Sequence, residues 1–450
     1  MGKSFNKGAF INEGEAALFL FEICVRIVLM YRLKKLSSGL KILTIPMKNT
    51  EIFTLLVLVG TGSQYETKKI NGISHFLEHM FFKGTKDRPE PGQVHRELDS
   101  IGAQHNAFTS KEITGYYVKA AKEYFDKSLD IVSDILTSPL LSAEEIEKEK
   151  GVVVQEIRMR NDDPVSRTAN IFEQLLWGDQ PAGWEVAGDE KTVNSLRRED
   201  FLDYFYSQYV ASNTVVVVAG AYPQDAEKRI EQEFKTLKKG KAGPETPTKS
   251  LGAGVKVRVE NKDVESSNLV LGLEGFNMHH PKRFILSMLG VVLGGNVSSR
   301  LFTEVREKRG LAYYIGAGNT LYKDGGYFEI SAGIPHDKTE TALEVIVSEL
   351  QKIKTDGVGA EELKRAKDYI RGSTKISLES SSALASYFGE QVVFEKKMMT
   401  PEENLKKLDG VSAPQIKALA RELFQPSRSA LALVGKAQSD TGFLKILKQI

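Results

Sequence analysis

Two histidines four residues apart, with a glutamate directly before the second, constrain this chain more than any other feature. They lie in Gly72-Ile73-Ser74-His75-Phe76-Leu77-Glu78-His79-Met80-Phe81-Phe82-Lys83-Gly84. Gly72 and Ser74 can begin a helix and Gly84 can end one. On a helix, His75 and His79 share a face, one turn apart. That is the spacing at which two neutral imidazoles can chelate one divalent cation. Glu78 lies beside the pair, placed to take a proton from water that the metal activates. A lone pair of histidines at this spacing is more often packing than chelation. The placed glutamate, the apolar neighbours Phe76, Leu77 and Met80 and a carboxylate further along the chain favour zinc.

Composition narrows the ligand set. The chain has 450 residues, 41% hydrophobic and 27% charged, which is ordinary globular usage and room for two to four domains. A net charge of +2 gives no field that favours nucleic acid or an anionic membrane, so neither is expected as a partner. Cys24 is the single cysteine, which excludes an intrachain disulfide and a thiolate zinc site. Any metal must therefore take imidazole and carboxylate. Residues 1–30 read as a poorly ordered extension, with Met30 directly before foldable sequence. Their apolar run Ala16–Phe21 is broken by Glu22 and Arg26, short of the ~20 residues a membrane span needs. Glu13 and Glu15 stand where a signal peptide carries positive charge. Stable membrane insertion is not expected, and a cytoplasmic location is.

From Tyr31 the pattern alternates strands and helices. Leu40–Ile45 and Ile52–Val59 read as strands across a Pro46–Thr50 turn, followed by the histidine helix and a helix over Gln93–Ser100. Asn106–Ser110 and Thr114–Val118 read as strands, and Tyr124–Thr137 as a helix. Ser142-Ala143-Glu144-Glu145 starts a long helix to about Arg160. Asn213–Ala219 is a β-branched strand, and Gly240–Thr248 is linker-like. Ala143-Glu144-Glu145-Ile146 returns as Ala360-Glu361-Glu362-Leu363, an offset of 217 residues. It sets Val292, Gly295 and Asn296 opposite His75, Glu78 and His79, so the second copy has lost the metal. The predicted fold is α+β: two tandem copies of a two-layer domain, each a largely antiparallel sheet with helices on one face. The predicted domains are 31–239 with the zinc site, a linker at 240–250, and a metal-free copy at 251–450.

A catalytic zinc needs a third protein ligand. On the long helix, Glu149 and Glu156 share a stripe with Ile146, Val153 and Ile157, and carboxylates there are costly to bury without a positive partner. His75-Phe76-Leu77-Glu78-His79, followed by Glu156 after 76 intervening residues, resembles the zinc metallopeptidase family of pitrilysin, insulin-degrading enzyme and mitochondrial processing peptidase. The likeness runs from about Tyr31 to the C-terminus and suits the two-domain members, with the fold of the processing peptidase. It implies zinc ligands His75, His79 and Glu156, Glu78 as general base, and Glu149 as a partner of a ligand histidine. Gly102–Thr109 is similar to the family's peptide-binding edge strand, which implies substrate contacts at Asn106 and Ala107. Arg306–Tyr313 is similar to the segment whose Arg and Tyr contact substrate, here Arg306 and Tyr313. Only Gly294-Gly295-Asn296 stands where regulatory processing-peptidase subunits carry a long glycine-rich loop, so presequence specificity is not implied.

The expected activity is therefore zinc-dependent endopeptidase cleavage of unfolded peptides. A non-catalytic scaffold of the same fold and a zinc hydrolase of other substrates are the alternatives. Because zinc lies in the first copy and Arg306 and Tyr313 in the second, a homodimer sharing its sites is expected. His95, His105, His279, His280 and His336 have no partner at metal spacing and are expected to be structural or at the surface.

Overall fold

The computed structural model describes residues 31–395, 397–436 and 440–450, so the extension over 1–30 lies outside the described residues. The first half forms a six-stranded sheet from β1 (Arg32–Lys35), β2 (Lys41–Pro46), β3 (Ile52–Val59), β4 (Gln104–Thr109), β5 (Thr114–Ala121) and β6 (Thr214–Gly220). Its order is β1-β2-β6-β3-β5-β4, antiparallel except for the β2–β6 pair. β2 and β3 therefore do not form the hairpin that their Pro46–Thr50 connection suggests. The Val215–Ala219 run, apolar on both faces, slots between them as a fully buried central strand. β4 stands at the edge, paired to β5 on one side only.

Five helices of this half matter for the site: α1 (Ile73–Met80), α2 (Gln93–Asp99), α3 (Ala143–Asp162), α4 (Pro164–Trp177) and α5 (Arg198–Gln208). α1 begins at Gly72, whose φ of 96° and whose approach to Ala187 O, 2.5 Å from where a Cβ would sit, require glycine. α3 is started by the Ser142 hydroxyl accepting from Glu145 N, with Glu144 and Glu145 in its first turn. Ile146, Val153 and Ile157 turn it onto the core shared with Leu77 and Phe76 of α1.

The second half repeats this plan. Its sheet is β7 (Lys256–Asn261), β8 (Ser267–Glu274), β9 (Tyr314–Leu321), β10 (Gly326–Ile334) and β11 (Ser429–Gly435), in the order β7-β11-β8-β10-β9. β2, β3 and β6 recur as β7, β8 and β11 at an offset of 215 residues. The strand before each metal-position helix repeats at that offset. It moves the counterparts of His75, Glu78 and His79 two residues back, to Gly290, Leu293 and Gly294, all in α6 (Arg283–Gly294). α6 carries no His, Cys, Asp or Glu.

The offset of 217 residues does hold for a pair of helices: it carries α4, Pro164–Trp177, onto α8, Ser381–Phe394, end to end, just as α3 returns as α7 (Ala360–Ser377). These two helices are exchanged between the halves. Leu384, Ala385, Phe388 and Val392 of α8 cover the second face of the first sheet, against Leu43, Leu56, Val215 and Val217. Ile171, Phe172, Leu176 and Trp177 of α4 cover the second face of the other sheet, against Val270, Tyr327, Ala430 and Ala432. The helices expected on one face of each sheet are thus joined by a helix on the opposite face that belongs to the other copy.

Polar contacts lock the same junction. Glu173 of α4 pairs with Lys111 at 3.0 Å and accepts hydrogen bonds from the Tyr322 and Tyr327 hydroxyls. Glu112, in the β4–β5 turn, accepts from Lys323 N at 2.9 Å in the matching β9–β10 turn. No helix among the described residues is long and apolar enough to cross a membrane.

Candidate metal centre

α1 and α3 cross so that the two histidines of one meet the carboxylates of the other. His75 Nε2 lies 3.4 Å from Glu156 Oε2, and His79 Nε2 lies 3.5 Å from the same oxygen. The three donor atoms fall within 4.8 Å of one another, and among the described residues no other group of three is so placed. Separations of 3.4 and 3.5 Å are long for a hydrogen bond. They match the edge of a tetrahedron around an ion bonded at about 2.0–2.1 Å, for which about 3.3–3.4 Å is expected. The donor set fits zinc.

Each donor is held differently. His79 Nδ1 pairs with Glu149 Oε1 at 3.0 Å, which turns Nε2 toward Glu156. Glu149 is in turn buried, with its other oxygen 2.6 Å from Lys83 Nζ. Burial would lower the His79 pKa, but the hydrogen bond to Glu149 and the nearby Glu156 carboxylate push it up to about 9. The close approach of His75 and His79 holds the Glu156 carboxyl far below the usual carboxylate range. This is the charge pattern of a cation site, with two carboxylates facing the pair of imidazoles. Arg160 grips the remaining Glu156 oxygen at 2.9 Å, leaving Oε2 to face the histidines. His75 differs from His79, because its Nδ1 is buried without a hydrogen-bond partner.

Glu78 stands outside the ligand set. Its Oε2 accepts the Thr109 hydroxyl at 2.6 Å, which ties it to the last residue of β4. Thr109 and Lys83 are partners that sequence spacing did not single out. Asn106 and Ala107 lie on β4, Asn106 exposed and Ala107 packed against the core. The structure does not join Arg306 and Tyr313 to this cluster. Arg306 lies in a π-helical stretch, Phe302–Glu307, its guanidinium 4.9 Å over the Phe302 ring, and Tyr313 is 62% exposed. Of the remaining histidines, His95 and His105 do have a partner, each other. Ten residues apart, they meet between α2 and β4 with Nδ1 and Nε2 2.8 Å apart. Spacing along one helix could not reveal a pair that spans a helix and a strand.

Comparison with known proteins agrees with this architecture. Residues 41–190 match the insulinase family, peptidase family M16, and residues 195–370 match the peptidase M16 inactive domain. The uncharacterized zinc protease YmxG of Bacillus subtilis is 36% identical over 383 residues, covering 84% of this chain and 91% of the relative. The chain belongs to peptidase family M16. An uncharacterized zinc protease of Rickettsia felis is 35% identical to this M16 chain, over 90% of it and 97% of the relative. A crystal structure of a protease from Helicobacter pylori superposes with a TM-score of 0.85 at 26% identity, covering 90% of the M16 chain and 99% of that one. A peptidase M16 inactive domain from Pseudomonas fluorescens shares the fold at 19% identity, with a TM-score of 0.83 over 91% and 99% of the two chains. The family assignment agrees with the resemblance drawn from His75–His79 and Glu156, and the two matched regions correspond to a two-domain α+β member.

Proposed function

We propose that this M16 chain is a zinc-dependent endopeptidase that cleaves unfolded peptides, with Glu78 as general base. The observation that carries the reading is the convergence of His75 Nε2, His79 Nε2 and Glu156 Oε2 beside a Glu78 that no ligand role consumes. His75, His79 and Glu156 would hold the ion, and zinc bound there supplies a Lewis acid that polarises a peptide carbonyl and acidifies water. Glu78 takes the proton of the attacking water and returns it to the departing amine. Substrate reaches the base along β4, whose outer edge has no strand partner among the described residues and offers the main-chain donors and acceptors that an extended peptide needs. Such an edge reads flexible chains, so folded proteins are poor substrates.

Tyr313 and Arg306 are assigned to substrate in trans, across a two-fold homodimer in which the second half of one chain faces the zinc of the other. Arg306 and Tyr313 are both exposed, which supports this division. Incubation with a quenched peptide library, with and without chelator, tests the activity. Cleavage that stops on chelation and returns with zinc is expected. Glu78→Gln should retain metal and lose turnover by roughly 10²–10⁴-fold; near-normal turnover would exclude the assigned base. Mixing His75→Ala with Arg306→Ala chains, each inactive alone, should restore activity if sites are shared, and a dead mixture with verified subunit exchange would sink the shared-site reading.

A further inference from the structure

The two ligand histidines are unequally supported at their rings. His79 has Glu149 on its second nitrogen, whereas His75 Nδ1 is buried and has no partner. A ligand histidine ordinarily donates that second N–H to an acceptor, which fixes its orientation. Something other than a ring hydrogen bond must therefore hold His75.

The start of α1 supplies it. A helix leaves its first N–H groups without intrahelical acceptors, and a side chain at the N-cap commonly takes one of them. Gly72 stands at the cap and has no side chain to offer. Glu66, six residues earlier, fills that role from a distance. Its Oε2 accepts from Gly72 N at 2.7 Å and from Asn71 Nδ2 at 2.9 Å, and its Oε1 accepts from Ser74 N at 2.8 Å. The side chain is 1% exposed and has no ion-pair partner among the described residues, so backbone and amide N–H groups are what compensate its burial. Ser74 is pinned a second time, through its hydroxyl, by the Tyr204 hydroxyl of α5 at 2.6 Å. Tyr204 also reaches the Thr61 hydroxyl at 2.9 Å. The residue directly before His75 is thus clamped at both its backbone and its side chain.

We propose that Glu66 is a positioning residue for the metal site, holding His75 through the backbone of the first helical turn as Glu149 holds His79 through its ring. The inference rests on the zinc reading above. A histidine placed through its backbone is placed only as well as the first turn of α1 is, and frayed N–H groups there let the ligand swing. Ordinary capping of a helix far from a site would cost stability alone; here the cost also falls on metal affinity.

The test is competition for zinc against a chelator of known affinity, well below the unfolding temperature, on purified full-length chains. Wild-type protein that fails to take up zinc overturns the metal reading itself. Given zinc in the wild type, Glu66→Ala is expected to bind it 10–100-fold more weakly, the range seen for outer-shell partners of metal ligands. Cobalt substituted for zinc reports the geometry directly, and its visible absorption should shift in Glu66→Ala. Phe443→Ala, a core change in the second half, is the control: it should lower the unfolding temperature and leave zinc affinity as it was. If Glu66→Ala does not fold, Glu66→Gln takes its place. It keeps the shape but presents an NH2 group to one of the two backbone donors, and weaker zinc binding is again expected. Zinc affinity within twofold of wild type and an unshifted cobalt spectrum, in whichever variant folds, overturn the proposal.

Discussion

Thr109 donates its hydroxyl hydrogen to Glu78 Oε2 at 2.6 Å, so the proposed base and the end of the edge strand are joined by one bond. A hydrogen bond to a charged carboxylate contributes about 1.5–3 kcal/mol. Thr109→Val keeps the shape and removes the donor. Turnover is expected to fall about tenfold or more, with zinc content as in the wild type. Unchanged turnover would mean that α1 alone aims Glu78.

The two carboxylates of α3 should separate in metal binding. Glu156→Gln removes the negative charge of the oxygen that faces both histidines, and zinc occupancy should fall below what dialysis retains. Glu149→Gln leaves the three donors in place but takes the charged acceptor from His79 Nδ1 and from Lys83. Zinc should then bind about 10–100-fold more weakly, yet still bind. Metal analysis after dialysis checks both, and equal losses in the two variants would count against the assigned ligand set.

Glu112 makes the junction between halves sensitive to pH. Burial pushes its carboxyl up from 4.5 to about 7, although the Lys323 N–H and the Lys323 charge oppose this. The native state thus holds this proton more tightly than the unfolded chain does. The contribution of Glu112 to stability falls as pH rises from about 4.5 to about 7 and is level above that. Glu112→Gln keeps an acceptor for Lys323 N and cannot ionise. It should raise stability at pH 8 by on the order of 1–3 kcal/mol and by much less at pH 5. Urea unfolding at the two pH values decides; an equal difference at both would remove Glu112 as the cause.

The histidine helix, the Glu149–Glu156 stripe on a second helix and the repeat were legible because each is written in spacing along the sequence. His75 and His79 share a face by helical geometry alone, and the Ala143 and Ala360 segments carry a visible offset. Glu149 and Glu156 stood out because carboxylates sat on an apolar stripe. What spacing could not show is what depends on chain segments distant in sequence. β6 enters between β2 and β3 from more than a hundred residues away. Glu66 lies in the polar stretch Gly60–Lys69, and its one signal in the sequence is a helix start at Gly72 with no capping side chain. The His95–His105 pair needed a helix laid on a strand, which no period in the sequence encodes.

The exchange of α4 and α8 predicts that neither half survives alone. Residues 31–239 expressed without the rest would leave Leu43, Leu56, Val215 and Val217 open to water on one sheet face. This fragment should aggregate or stay unfolded, whereas co-expression with residues 240–450 should recover it. In the full chain Phe388→Ala should cost about 3–5 kcal/mol, read by thermal unfolding. It should also loosen the first half, measured by faster amide exchange in β3 and β6. Protection lost only in the second half would contradict the packing.

The same exchange sets a timetable for synthesis. The last strand of the first sheet leaves the ribosome at Gly220, but the helix that covers its open face is complete only at Phe394. At about 5–20 residues per second, that is an interval of roughly ten to thirty-five seconds. During it, a broad β-branched surface on the nascent chain waits for a lid not yet translated. Zinc can be bound no more firmly than that sheet is folded, so the metal site should mature after most of the chain has been made.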